Sequence, residues 1–179
     1  KNGQTAGTFP KGVYKTDEDN INNNWNRLEK DLGYPITLVG TEKVDGSSIT
    51  IGITQEEPQG FICSRNLKKK LVETKVTGRR KKTLLETIMF WKEPNLNIYS
   101  EVPSVDDFVK MGLPYLNKIK QTGYSNLILR GELNGGKAKG SGNKNNPANK
   151  EPMNIKFFGT DYMKDGISVK ETYNEFSIN

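Results

Sequence analysis

Apolar residues recur at helical spacing at Ile21, Trp25, Leu28 and Leu32. Thr16 or Asp17 is placed to cap that helix, and Asp17, Glu18 and Asp19 suit the positive end of its dipole. Gly33 closes it, and the stripe reads as a packing surface. From Ile36 the period changes to two. Ile36–Val39 running toward Lys43, Ser48–Ile53 and Gly60–Arg65 predict three short strands in meander order, with a Pro58-Gln59-Gly60 turn before the third. Cys63 lies inside that apolar strand, where a buried, inert thiol is expected.

Helical spacing returns over residues 104–122, through Val105, Phe108, Val109, Leu116 and Ile119. Ser104 with Asp107 resembles a capping box in which Asp replaces the usual Glu, Pro114 is expected to kink or split the helix, and Gly123 ends it. Asn126–Leu133 predicts a further strand. Residues 134–150 hold Gly, Asn, Lys and Ser with almost no apolar mass, which predicts a flexible loop. Met153–Tyr162 reads as a strand, Lys164-Asp165-Gly166 as a tight turn and Ile167–Lys170 as its hairpin partner. With no internal repeat and no clear linker, residues 1–179 predict one α+β domain dominated by antiparallel sheet.

Composition removes several chemistries. The 179 residues include no histidine and a single cysteine. A Ser–His–Asp or Cys–His pair, a histidine general base, an intrachain disulfide and a thiolate zinc cluster are all excluded. No apolar run approaches the ~18 residues of a membrane helix, and the first residues lack the apolar stretch of a signal peptide. A monomer in a reducing, cytoplasmic or virus-infected-cell setting is expected. Lys and Arg number 27 against 21 Asp and Glu, a net charge of +6. That balance suits a polyanion such as ATP or nucleic acid without specifying one. The densest cations, Lys68-Lys69-Lys70 and Arg79-Arg80-Lys81-Lys82, fall in a segment that is either a solvated loop or a phosphate-contacting surface.

The segment richest in chemistry is Thr41-Glu42-Lys43-Val44-Asp45-Gly46-Ser47-Ser48, between two predicted strands. A lysine amine becomes a nucleophile where desolvation or nearby cations lower its reference pKa of ~10.4. Gly46 permits a tight turn and close ligand approach. Taken alone, Lys-x-Asp-Gly is no more than a β-turn with an exposed lysine. Cys63-Ser64-Arg65-Asn66 adds a guanidinium that suits a phosphate or ribose, and Leu129-Arg130-Gly131-Glu132-Leu133 a carboxylate near a strand end.

Together and in this order, these three segments resemble the RNA ligase family of covalent nucleotidyltransferases. Phe9-Pro10-Lys11 through Lys15-Thr16-Asp17-Glu18 and Ile21-Asn22-Asn23 also resemble the lead-in of bacterial and phage RNA ligases. The likeness covers roughly residues 9–67 well and 126–166 fairly; residues 68–125 match little. It implies a nucleotidyltransferase domain of the DNA/RNA ligase kind and ATP-dependent ligation. The Lys43 amine would take AMP from ATP, AMP would pass to an RNA 5′-phosphate, and a 3′-hydroxyl would displace it. By position the likeness implies Lys43 as nucleophile, with Asp45 and Gly46 completing its turn. Glu42 would stand at the adenine edge and Arg65 at the ribose and phosphate. Glu132 would lie near the ribose and a magnesium ion that neutralises pyrophosphate.

The chain departs from the family pattern in three ways. The adenine-stacking phenylalanine of Ile155-Lys156-Phe157-Phe158-Gly159-Thr160-Asp161-Tyr162 is replaced by Thr160. Phe158, two residues earlier and therefore expected on the same strand face, is the candidate substitute; Phe157 is expected in the core. The family's later acidic motif and final lysine pair have no convincing counterpart, Asp165-Gly166 being read as a hairpin turn. Nor does any segment of residues 1–179 resemble the family's auxiliary RNA-binding region. The expectation is an adenylyltransferase domain incomplete at its C-terminus, with weak or absent self-adenylylation by this chain alone. The alternatives are a non-catalytic RNA- or nucleotide-binding relative, or a DNA ligase or capping guanylyltransferase of the same superfamily.

Overall fold

The alternating segment Ser47–Ile53 is the central strand of a seven-stranded antiparallel sheet. The computed structural model describes residues 4–15, 20–37, 40, 43–84, 95–136 and 150–171. In chain order its elements are β1 (Thr5–Thr8), α1 (Ile21–Leu32), β2 (Ser47–Ile53), β3 (Phe61–Ser64), β4 (Leu67–Lys69), β5 (Val72–Lys81), β6 (Asn95–Pro103), α2 (Asp107–Thr122), β7 (Leu127–Asn134), β8 (Asn154–Lys164) and β9 (Ile167–Glu171). The large sheet runs β1-β4-β3-β2-β7-β8-β9, and β5 and β6 form a separate two-stranded ribbon. The α+β class and the antiparallel sheet agree with the sequence reading.

Period-two alternation sorts the sheet into two faces. Ile49, Ile51 and Ile53 of β2, with Leu127, Leu129 and Leu133 of β7, pack against Leu116 and Ile119 of α2. Phe157 joins this core, its ring edge-on to Tyr115 at 4.8 Å. On the opposite face Phe61, Cys63, Ile128 and Val13 form a second buried cluster. Burial pushes the Cys63 thiol up to about 12, so it stays protonated and inert.

Several local expectations are corrected. Asn20 caps α1, accepting from the Asn22 N–H at 2.9 Å; Thr16 to Asp19 lie outside the described residues. The stripe on α1 is not packing surface, because none of its residues is buried and Leu32 is 64% exposed. Ile36 and Thr37 are irregular, and Leu38 and Val39, the rest of the predicted first strand of the meander, lie outside the described residues. At α2 the cap is Asp106, which accepts from the Phe108 N–H at 2.9 Å, while the Ser104 hydroxyl turns away to Glu73. Pro114 neither splits nor ends α2. It lies on the solvent side, as does Lys110, whose carbonyl it leaves without a helical donor, so water can satisfy that oxygen.

The basic stretch after Arg65 is strand rather than loop, forming β4 and β5. The hairpin at the C-terminal end closes as expected: Lys164 pairs with Ile167 around Asp165 and Gly166, both with positive φ. Of the predicted 134–150 loop, residues 137–149 lie outside the described residues.

Candidate active site

The start of β2 and the end of β7 lie side by side, Ser47 opposite Leu133 and Ser48 opposite Glu132. The segment entering β2 therefore passes directly over the Glu132 side chain. Its closest approach is at Gly46, where a Cβ would overlap the Leu133 carbonyl oxygen and crowd the Glu132 Cγ at 3.0 Å. Only glycine lets the backbone come this near. The Gly46 N–H donates to the Glu132 carboxylate as a result.

The β3–β4 turn brings a second group to the same end of the sheet. Arg65 and Asn66 stand in this turn, which is braced by the Ser64 hydroxyl donating to the Leu67 carbonyl at 3.3 Å. Asn66 in turn accepts from the Lys15 amine at 3.2 Å. A cavity of about 830 Å³ lies between these stretches and the start of α2, and Lys43, Gly46, Arg65 and Glu132 all line it. That volume is in the range of small-molecule sites.

Electrostatics differentiate the walls. Burial is the main cause holding the Glu132 carboxyl above the usual range, reinforced by the charge of Asp45; Lys43 and the Gly46 N–H oppose it. On the far wall Lys69 pairs with Asp106 at 3.0 Å and stands 4.7 Å over the Phe108 ring. Lys69 is thus committed within the protein. The N-terminus of α2 opens on the cavity, but Asp106 and Asp107 already supply the negative charge its dipole favours.

The structure thus gathers Lys43, Gly46, Arg65 and Glu132 into one cavity. Asp45 is exposed close enough for its charge to act on Glu132, and Glu42 lies outside the described residues. Phe158 does not line the cavity. The register shifts by one residue between Arg130 and Gly131, leaving Phe158 as the extra residue in β8. Thr160 opposite Leu129 therefore faces α2, while Phe158 lies under the Arg130 guanidinium at 5.8 Å. The two residues sit on opposite faces, contrary to the parity expected from the sequence. Lys69 and Phe108 also line the cavity, and sequence reasoning misses both. Lys69 is one of a run of three lysines, and Phe108 belongs to a helical stripe that reads as core.

For a divalent cation, the donor set present is Glu132 with Asp45 nearby. Glu132, a partly buried carboxylate on the cavity wall, fits magnesium, which takes one or two protein carboxylates and completes its shell with water and phosphate oxygens. Among the described residues no cluster of three or more acidic or cysteine side chains is poised to hold a metal on its own.

No protein-family model matches the chain, and no curated protein matches it. Solved structures do. The apo form of a lysine-to-alanine variant of a Naegleria gruberi RNA ligase superposes over 93% of this chain with a TM-score of 0.57 at 17% identity. A lysine-to-methionine variant of Naegleria gruberi RNA ligase with AMP and manganese gives 0.54 at 16% identity over 94% of this chain, and an alanine variant with ATP and manganese gives 0.52. The fold is thus similar to that of RNA ligases. The chain spans 38% of the length of each of these neighbours.

Proposed function

We propose that this chain is the nucleotidyl-transferring part of an ATP-dependent RNA ligase, with Lys43 as its nucleophile. The observation carrying this reading is the convergence of Lys43, Arg65 and Glu132, from three distant segments, on one cavity in a fold shared with RNA ligases.

In the first step the lone pair of the Lys43 amine attacks the α-phosphorus of ATP. A nitrogen–phosphorus bond forms, and the bond to the bridging oxygen breaks. Pyrophosphate leaves with that electron pair, and the amine proton passes to water. Gly46 holds the backbone against β7, so that Lys43 and Glu132 share the same wall. Arg65 grips ribose or phosphate with its planar donors. Glu132 accepts from the ribose and, with Asp45, would hold magnesium, whose charge lowers the cost of the departing phosphates. Transfer of AMP to an RNA 5′-phosphate and displacement by a 3′-hydroxyl are steps of the whole protein.

The test is incubation with ATP or GTP labelled at the α-phosphate, with magnesium, followed by denaturing gels. Covalent label from ATP, abolished in Lys43→Ala and resistant to denaturation, supports the reading. Label from GTP alone points to a capping enzyme. No label from either, with this chain and a full-length form alike, in a protein that binds nucleotide, favours a non-catalytic relative and overturns the proposal.

A further inference from the structure

The basic stretch beyond β4 forms an arm. Within their sheet β5 and β6 pair only with each other, and ten residues of β5 at ~3.3 Å each make it about 30 Å long. Both strands spring from the cavity wall. Lys69 closely precedes the arm and Val105 closely follows it, and both line the cavity. The root is tied down by hydrogen bonds to Glu73 from the Ser104 hydroxyl at 2.6 Å and the Val105 N–H at 3.3 Å. The Ser104 N–H also donates to the Leu71 carbonyl at 3.0 Å.

Register sorts the side chains of the arm. Val76 stands opposite Tyr99 and Arg79 opposite Asn97, with Lys81 opposite Asn95. The one-residue shift between Val76 and Gly78 keeps Val76, Arg79 and Lys81 on the face of Tyr99. Tyr99 is 61% exposed and Val76 50%. An aromatic ring left in water is poorly explained by folding, since none of the arm's described residues is buried for it to pack on. Among the described residues of the arm, five cations, Lys75, Arg79, Arg80, Lys81 and Lys82, accompany it against two carboxylates, Glu73 and Glu101, of which Glu73 is engaged at the root. A stacking surface beside cations is the combination that binds single-stranded nucleic acid.

We propose that the face formed by Val76, Arg79, Lys81 and Tyr99 binds single-stranded RNA leading to the Lys43 cavity, a base stacking on Tyr99 and phosphates meeting Arg79 and Lys81. That the bound strand is a ligation substrate rests on the ligase reading; strand binding by the arm does not. An acidic peptide would satisfy the cations but would make little use of the exposed ring.

The experiment is fluorescence anisotropy of a labelled oligouridylate of about 15 nucleotides, with polyglutamate as the competing polyanion. Tyr99→Ala is expected to weaken binding about tenfold, and Tyr99→Phe, which keeps the ring, to retain it. Replacing both Arg79 and Lys81 by Ala is expected to weaken binding further and to flatten the salt slope by about 1.4. Thermal melts of each variant check the fold, and labelling of Lys43 by ATP is expected to be unchanged. Affinity indifferent to these substitutions, or polyglutamate competing as well as RNA, overturns the arm proposal. If RNA binding depends on the arm while no label forms with either this chain or a full-length form, the ligase reading falls and the arm stands. Label without arm-dependent binding removes the arm and leaves the ligase reading standing.

Discussion

Arg130 Nε donates to Asp161 Oδ1 at 2.8 Å across β7 and β8, with both side chains almost wholly excluded from water. This pair replaces apolar contact at the centre of the face opposite α2. Asp161→Ala leaves a buried guanidinium without this partner and is expected to destabilise the protein by about 3–5 kcal/mol in urea unfolding. The double variant Arg130→Met with Asp161→Leu is expected to recover most of that loss. A single-variant cost under about 1 kcal/mol would show that the pair is better hydrated than its burial indicates.

Gly46 is the steric hinge of the candidate site. In Gly46→Ala the new methyl collides with the Leu133 carbonyl, lifting the Lys43 segment off β7 and breaking the Gly46 hydrogen bond to Glu132. Covalent labelling by ATP is expected to fall about 100-fold, as for a displacement of about 1 Å at a reacting group. Stability is expected to drop by about 1–3 kcal/mol. Unchanged labelling kinetics would mean that the loop position does not set the chemistry.

The raised carboxyl of Glu132 makes its protonated form the better fit in the folded state. Its contribution to stability is therefore complete below the ordinary glutamate range and is lost as pH rises through the raised value. Glu132→Gln is expected to gain stability relative to wild type as pH increases above ~4.3, and Asp45→Asn to shrink that gain. Denaturation at a series of pH values measures both. A Gln variant that loses ground with rising pH would reverse the assigned direction.

Asp106 caps α2 and binds Lys69, joining the helix to β4 at the cavity wall. Asp106→Ala is expected to cost about 2 kcal/mol, the upper range for a lost cap. Asp106→Asn, which still accepts from the Phe108 N–H, is expected to recover about half. Equal losses in the two variants would assign the effect to the ion pair instead.

Cys63, its thiol pushed up to about 12 by burial, is expected to react with a thiol reagent at pH 8 only as fast as the protein unfolds. Labelling that stays fast under strongly native conditions would contradict its burial.

The legible parts of the fold were those whose large apolar residues line up on one face. Ile49, Ile51 and Ile53 alternate because one face of β2 meets α2, and that pattern is readable without coordinates. The ribbon was not readable. Both its faces meet solvent, so Val72–Lys81 carries no alternation, and a strand with two polar faces looks like a loop. The α1 stripe misled in the opposite sense, since amphipathic spacing reports the capacity to pack and not the presence of a surface to pack on. Lys43, Arg65 and Glu132 were legible through their segment contexts, and their convergence is a fact of strand register. Phe158 was misplaced because one extra residue in β8 inverts the face of everything beyond it, and nothing in the local sequence announces the insertion.

The candidate site has no local precursor. Lys43 meets Glu132 only once β2 has zipped to β7, almost ninety positions further along the chain, and Arg65 joins them only after the β3 edge has closed. A half-assembled sheet holds the amine without its carboxylate neighbour. If Lys43 is the nucleophile proposed above, reaction with a nucleotide waits on this long-range pairing, and acquisition of label during refolding would report when β2 and β7 have joined.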